Sequence, residues 1–287
     1  MTSFFKVSGS GNDFLALPEP AENPSPERIR AWCRRGVSLG ADGLFVLRRG
    51  EAGIGMDYFN ADGYPADLCL NGTRCAAQLA FHLGWADGTA RIVTAAGGVE
   101  ARWLDDRRVA LQMPAPGEPP REVKLEVDGK PYTGYFLTVG VPHLVVPWPA
   151  GLETVPVVPL GRPLRGHPGL GPAGANVNFV RFPSPRRMEI RTYERGVEDE
   201  TLSCGTGVLA GAATGVALGQ AVLPLTAVTQ GGFELEVSGG TNSWSLAGDA
   251  RVVARGELFL PSEASPAAPP WETAGFLQVG GTGGEIR

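Results

Sequence analysis

Two cysteines, Cys69 and Cys204, are the side chains of this sequence best placed to do chemistry. Each opens a Cys-x-x-Gly turn, followed by a run of small or apolar residues and then Leu-Gly. The first turn is Cys69-Leu70-Asn71-Gly72, and its run ends at Gly84. The second is Cys204-Gly205-Thr206-Gly207, ending at Gly219. Both intervals are 15 positions long, which reads as an internal duplication. A segment this rich in alanine packs as a buried helix, so each thiol falls at a helix N-terminus. Unpaired backbone N–H groups and the positive end of the helix dipole meet there. That setting is expected to lower a thiol pKa and to bind carboxylates. Two such thiols facing each other suit an acid/base pair around one carboxylate.

Other chemistries find less support. There is no Cys-x-x-Cys pair, so thioredoxin-like and zinc-ribbon readings fail, and three scattered histidines make a poor metal site. There is no phosphate-binding Walker loop, and no Gly-x-Gly-x-x-Gly that follows a strand with a matching acid. A Cys-His nucleophile pair could be drawn from His143 and either cysteine, but it leaves the second Cys-x-x-Gly element unexplained.

The elements that must position the thiols are many and short. The chain has 287 residues, enough for two domains with cores of their own. Glycine and proline are abundant, 41 and 25, and spread through the chain, which implies short strands and tight turns. Strands are expected at Phe4-Val7, Leu44-Leu47, Met56-Phe59, Ala90-Thr94, Gly98-Trp103 and Arg108-Met113 in the first half. In the second they are expected at Glu122-Val127, Tyr132-Val139, Asn176-Val180, Met188-Tyr193, Ala227-Gln230, Phe233-Val237, Ser243-Ala247 and Arg251-Leu260. A helix is expected from Pro26 to Arg35, with Ser25 as N-cap and Cys33 packed inside. The proline-rich stretch Pro114-Pro120 is the best linker. It divides the chain into residues 1–116, carrying Cys69, and 117–260, carrying Cys204; residues 261–287 form a Pro/Ala/Gly-rich tail of expected flexibility. A net charge of -5 gives no sign of nucleic acid or of an anionic membrane, and no apolar run is long enough to span one. The start, Met1 to Lys6, lacks a signal-peptide core, which with the need for reduced thiols points to the cytoplasm.

An ordered set of segments resembles the diaminopimelate epimerase family over roughly residues 4 to 260. The set comprises Gly11-Asn12-Asp13-Phe14, Gly40-Ala41-Asp42-Gly43, Phe59-Asn60-Ala61-Asp62-Gly63 and the Cys69 turn with Arg74 and Cys75. It continues through Pro142-His143, Asn176-Val177-Asn178-Phe179 and Tyr193-Glu194-Arg195-Gly196 to Cys204-Gly205-Thr206-Gly207. The resemblance implies an α/β (α+β) fold of two similar domains. Each is a curved, mostly antiparallel sheet wrapped round a central helix, with the active site in the cleft between them. It implies a cofactor-independent isomerase that converts LL- to meso-diaminopimelate, on the way to lysine and peptidoglycan, with no metal. Cys69 and Cys204 become the two catalytic bases, Cys69 as proton donor and Cys204 as acceptor in that direction. His143 and Glu194 tune the thiols. Asn12, Asn60, Leu70, Asn71, Asn176, Glu194, Arg195, Gly205 and Thr206 hold the amino-acid substrate, with Arg195 suited to its distal carboxylate. Such a scheme agrees with the residues, since the N–H groups of Leu70-Asn71 and Gly205-Thr206 would stabilise charge developing at the α-carbon.

Two positions depart from the family pattern. Leu70 stands where the family has glycine, and Val141 where it has an asparagine that helps recognise the distal end of the substrate. A racemase of another amino acid with the same cysteine pair, or a non-catalytic relative of the fold, therefore stays open. So does a homodimer.

Overall fold

The computed structural model of the chain describes residues 2–66 and 68–259. The tail expected over 261–287 lies outside the described residues.

The strands of the first half are β1 (Thr2–Gly9), β2 (Asn12–Pro18), β3 (Gly43–Gly50), β4 (Gly53–Asn60), β5 (Thr89–Thr94), β6 (Gly97–Asp105) and β7 (Arg108–Pro114). Helix α1 (Pro26–Cys33) links β2 to β3, and α2 (Leu70–His82) links β4 to β5. The second half continues with β8 (Arg121–Val127), β9 (Lys130–Val139), β10 (Val141–Pro147), β11 (Asn176–Ser184), β12 (Arg187–Glu194) and the short β13 (Asp199–Thr201). It ends with β14 (Leu225–Thr229), β15 (Glu234–Gly239), β16 (Ser243–Asp249) and β17 (Arg251–Leu258). Helix α3 (Val157–Arg165) links β10 to β11, and α4 (Gly205–Ala217) precedes β14.

Strand pairing repeats itself. One sheet runs β17-β1-β2-β3-β4-β5-β6-β7, and its successive pairs are antiparallel, antiparallel, parallel, antiparallel, parallel, antiparallel, antiparallel. The other runs β8-β9-β10-β11-β12-β14-β15-β16 with the same sequence of pair types. Each parallel pair is bridged by a helix, as a crossover requires. Both sheets are thus mostly antiparallel, and each wraps its own central helix, α2 or α4. They join where β16 pairs with β7, Leu246 opposite Leu111. The last described strand, β17, returns to pair with β1.

The two central helices are matched in detail. Each is 13 residues long, each has a cysteine N-cap in extended conformation, and each has a leucine C-cap. The following glycine, Gly84 or Gly219, has φ of 67° in both, a left-handed turn that glycine enters without steric cost. Small residues let the sheets close in. On α4, Gly207, Gly211 and Gly215 recur every four residues and meet Asn178, then Val180 and Met188, then Phe182. Four helical residues rise about 6 Å and two strand residues about 6.7 Å, so a stripe of one steps in register with alternate residues of the other. Gly72, Ala76 and Ala80 form the matching stripe on α2.

A single core cluster holds both central helices, running from Phe14, Leu79 and Ala80 to Val208, Leu209 and Leu246. Two satellites lie outside it: one under α3 with Val157, Leu160, Leu164 and Tyr193, one under α1 with Ile29, Trp32 and Leu258. Helix α1 begins as expected, with Ser25 Oγ accepting from Arg28 N at 3.4 Å, and it ends at Cys33, two residues short of Arg35.

Candidate active site

The N-termini of α2 and α4 meet. A Cβ added to Gly205 would lie 3.0 Å from Leu70 Cβ, so Leu70, the residue after one cysteine, packs on the residue after the other. Leu70 is buried there, and its bulk falls between the two helix starts.

Hairpin turns then cross from half to half. The β1–β2 turn brings Gly11 against the side chain of Leu202, just ahead of Cys204. The β9–β10 turn brings Gly140 towards Leu68, just ahead of Cys69, and towards Thr206. Asn71 completes the stitch: its Nδ2 donates to Asn12 Oδ1 at 2.7 Å and to Ser203 O at 3.3 Å, next to Cys204. Arg74, fully buried, aims that amide by donating from Nη2 to Asn71 Oδ1 at 2.6 Å and to Ser10 Oγ at 2.9 Å. Asn12 is held from its other end by Asp42, whose Oδ2 accepts from Asn12 Nδ2 at 3.0 Å and from Asp13 N at 3.1 Å.

The thiols themselves are capped differently. Cys69 is partly exposed, and its Sγ accepts from Gly72 N at 3.4 Å. Cys204 is buried, and its Sγ lies 3.4 Å from Thr206 Oγ1. No disulfide joins them. The expected lowering of their pKa values does not occur. Burial pushes Cys69 up to about 11, ahead of the opposing bond from Gly72 N–H, and the charge of Glu194 adds to the rise. Burial pushes Cys204 up to about 12, again with Glu194 adding to it. Helix-end N–H groups do favour the thiolates, but desolvation in the closed cleft is larger.

Glu194 sits at the end of β12, and its Oε2 accepts from Thr201 Oγ1 at 3.0 Å. Its own pKa is raised, first by burial and then, against the Thr201 bond, by the charge of Asp42 from the other half. Its field therefore reaches both thiols and is felt across the cleft. Next to it, Arg195 N donates to Asn176 Oδ1 at 2.8 Å, and Arg195 Nη1 reaches Ala173 O at 3.2 Å. His143 is fully buried on β10, beside Asn176 in the parallel register, and is held neutral, its pKa pushed down to about 3 by burial and then by the charge of Arg195. Asn60 is exposed at the end of β4, opposite Gly43, and its backbone closes the turn to Tyr64. Among the residues named from sequence it is the least enclosed.

Tyr58, Asn178 and Thr192 were not singled out from sequence. Tyr58 lies where Cys69, Asp42 and Glu194 all act on it, and burial with those charges holds its phenol neutral. Asn178 and Thr192 lie behind His143. For Asn178 the signal was the alternation Asn176-x-Asn178, which puts both amides on one face of a strand. Among the described residues no group of three His, Cys, Asp or Glu is placed to hold a metal ion, and no helix is long and apolar enough to cross a membrane.

A duplicated fold of this kind occurs in solved proteins described as racemases and epimerases. Solved structures share the fold: a probable proline racemase from Agrobacterium radiobacter matches 91% of this chain and 93% of its own, with a TM-score of 0.69 at 17% identity. A phenazine biosynthesis protein of the PhzF family from Enterococcus faecalis covers 90% and 99%, with a TM-score of 0.68 at 16% identity. The family model for diaminopimelate epimerase matches residues 4–117 and 135–255. The diaminopimelate epimerase of Aquifex aeolicus is 40% identical over 72% of this chain and 78% of its own. That of Chlorobaculum tepidum is 35% identical over 88% of this chain and all of its own. The chain belongs to the diaminopimelate epimerase family.

Proposed function

We propose that the chain interconverts LL- and meso-diaminopimelate by a two-base reaction between Cys69 and Cys204, without a cofactor. One cysteine, as thiolate, takes the α-proton. The carbanion left behind takes a proton from the opposite thiol on its other face. The α-carbon is inverted, and the two sulfurs have exchanged protonation states. Nothing is oxidised or reduced.

The observation that carries this reading is the crossing of the halves. Each hairpin turn leans on the segment before the other half's cysteine, and the two cysteine-capped helix starts pack on each other, which supports a shared site for the two thiols. The relatives that match most of the chain carry the same substrate in their names. Backbone N–H groups at Leu70-Asn71 and Gly205-Thr206 receive the α-carboxylate and stabilise charge as it develops. Glu194 takes the substrate ammonium. That pairing cancels the negative field that raises both thiols, so a thiol ionises more readily with substrate in place than without it. Arg195, with Asn12, Asn60 and Asn176, receives the distal end; Arg195 suits a carboxylate there.

The test is proton exchange in deuterated water under reducing conditions, with LL-diaminopimelate and a panel of L-amino acids assayed separately. Deuterium at the α-carbon together with meso product is expected from diaminopimelate. Exchange confined to a different amino acid would replace the substrate and keep the chemistry. Absence of exchange with every member would refute both.

A further inference from the structure

Behind Cys204 lies a buried polar cluster of His143, Asn178 and Thr192, and neither the family pattern nor the reaction above gives Asn178 or Thr192 a role. Asn178 Oδ1 lies against the first turn of α4, where a Cβ on Gly207 would overlap it. Asn178 Nδ2 faces three acceptors: His143 Nδ1 at 3.0 Å, Leu144 O at 3.4 Å and Asn176 O at 3.4 Å. Oδ1 in turn accepts from Thr192 Oγ1 at 3.0 Å. Two carbonyls on the nitrogen side and a hydroxyl on the oxygen side fix which way the amide points. The nitrogen that faces His143 Nδ1 is therefore a donor, and Nδ1 must be the bare, accepting nitrogen. The ring proton then resides on Nε2, which is buried and has no partner among the described residues. Asn178, His143 and Thr192 are all at least 97% buried.

The fold does not need this cluster. The same pairing pattern in the first half places Phe14 where His143 is, and sets Phe45 opposite Tyr58 where Asn178 is opposite Thr192. Phe14 packs against both of those rings with centroids 6.0 Å apart. An aromatic core serves there, with the Tyr58 hydroxyl as its one polar group. A buried polar network in the equivalent place, carrying an N–H without an acceptor, is a cost to folding.

We propose that Asn178, braced by Thr192, is a positioning residue that holds His143 as the neutral Nε2–H tautomer, so that the wall behind Cys204 offers a fixed N–H donor and carries no positive charge. This rests on the two-cysteine reading for its consequence, a neutral ring beside the turn that carries Cys204. The tautomer itself is a property of the resting protein.

The chain has only three histidines, so the tautomer can be read directly by long-range proton–nitrogen NMR on 15N-histidine-labelled full-length protein, with His82→Gln and His167→Gln for assignment. The expected native spectrum shows His143 neutral, with a bare Nδ1 and a protonated Nε2. Asn178→Asp puts an acceptor opposite Nδ1, so His143 should gain a proton there; kcat should fall about 10²-fold with KM changed less than about threefold. Thr192→Val should broaden or shift the His143 signals, and Thr192→Ser should restore them. A native His143 protonated at Nδ1, or an Asn178→Asp variant with the native tautomer, would overturn the proposal. If Asn178→Asp does not fold, the native spectrum and the Thr192 pair decide. Because the tautomer is read without substrate, a protein inert to diaminopimelate would count against the functional reading and not against this one.

Discussion

The two halves share a strand order, a helix length and a cysteine cap, yet what lies under each cysteine differs. Under α2, Gly72 rests on Phe14 and Met56, in an aromatic floor completed by Phe45 and Tyr58. Under α4, Gly207 rests on Asn178, in a polar floor with His143 and Thr192. Cys69 takes a backbone N–H from Gly72, whereas Cys204 pairs with the Thr206 hydroxyl. Duplication supplied two equivalent scaffolds, and the difference is concentrated at the positions that face the thiols. A reaction that moves a proton from one face of a carbon to the other needs two bases. The proposed reaction has no need for the two to have equal surroundings, because LL- and meso-diaminopimelate are not mirror images.

The strongest way to break the comparison is to remove one thiol at a time. Cys69→Ser and Cys204→Ser should each cut turnover by at least about 10³-fold, because a hydroxyl is far too weak an acid to supply a thiolate's equivalent near neutral pH. Circular dichroism and melting should stay close to native, since serine fills the same cap position. Steady-state assays in both directions measure it. Near-native turnover in either variant would end the two-base account.

The floors make a second test, on stability. Gly207→Ala drives a methyl into Asn178 Oδ1, which hydrogen bonds on both sides of its amide hold in place. It should cost about 1–3 kcal/mol. Gly72→Ala meets Met56 Cε at 3.3 Å, the free end of a flexible side chain, and Phe14 Cζ at 3.6 Å. There the gain in helix propensity, up to about 1 kcal/mol, should offset the crowding. Urea denaturation of the pair at pH 7 reads the difference, and equal effects would show that the floors do not differ in rigidity.

Acid gives a third. His143 in the folded chain protonates only near pH 3, while the unfolded chain takes up that proton near 6.5. Between those values the unfolded state binds the extra proton, so this stability is complete above about pH 6.5 and is lost as pH falls. The slope for one proton is about 1.4 kcal/mol per pH unit. His143→Phe, which copies Phe14 of the other half, should flatten the acid limb between pH 6.5 and 4 by up to that amount. Unfolding free energies at four or five pH values would measure it, and an unchanged limb would mean that His143 is not held neutral.

Much of this architecture was legible in the sequence, and the exceptions have physical reasons. The repeat of Cys-x-x-Gly and Leu-Gly gave both central helices, because small residues at four-residue spacing have few other uses in a buried helix. Helix α3 was missed: Val157-Val158-Pro159-Leu160-Gly161-Arg162-Pro163 carries two prolines. Pro159 falls in the first turn, where no backbone donor is needed. Leu160 and Leu164 bury the face that covers Tyr193, and Gly161 lets the Tyr193 side chain approach, its Cβ to within 2.5 Å of where a glycine Cβ would be. The thiols' raised pKa values were missed because sequence names the helix end and not the desolvation that outweighs it. Tyr58, Asn178 and Thr192 were missed because each reads as an ordinary strand residue until pairing puts it beneath a cysteine. Pairing also sent β17 back to β1, a long-range partner that no local pattern announces.

The smallest expected effect is the one that would make the halves more alike. Counting back along matched strands from Phe14 and His143, Asn12 of the first hairpin is equivalent to Val141 of the second. Asn12 is fixed by Asp42 on one side and Asn71 on the other, so its side chain presents polar atoms to the cleft in one orientation. Val141 has nothing polar to present, although Gly140 beside it lies 3.8 Å from Thr206 Cγ2 where its Cβ would be, which keeps this turn against the start of α4. Val141→Asn would return a donor and an acceptor to that turn. It lacks the flanking carboxylate that orients Asn12, because the position equivalent to Asp42 is Ala175, so part of any gain is lost to disorder of the new side chain. KM for diaminopimelate should therefore fall by about threefold, worth less than about 1 kcal/mol, while kcat stays within about twofold, since the change adds a distal contact and alters neither thiol. A fall in KM for a different amino acid, with none for diaminopimelate, would show that Val141 selects the substrate and that the second hairpin, unlike the first, has been turned to another distal group.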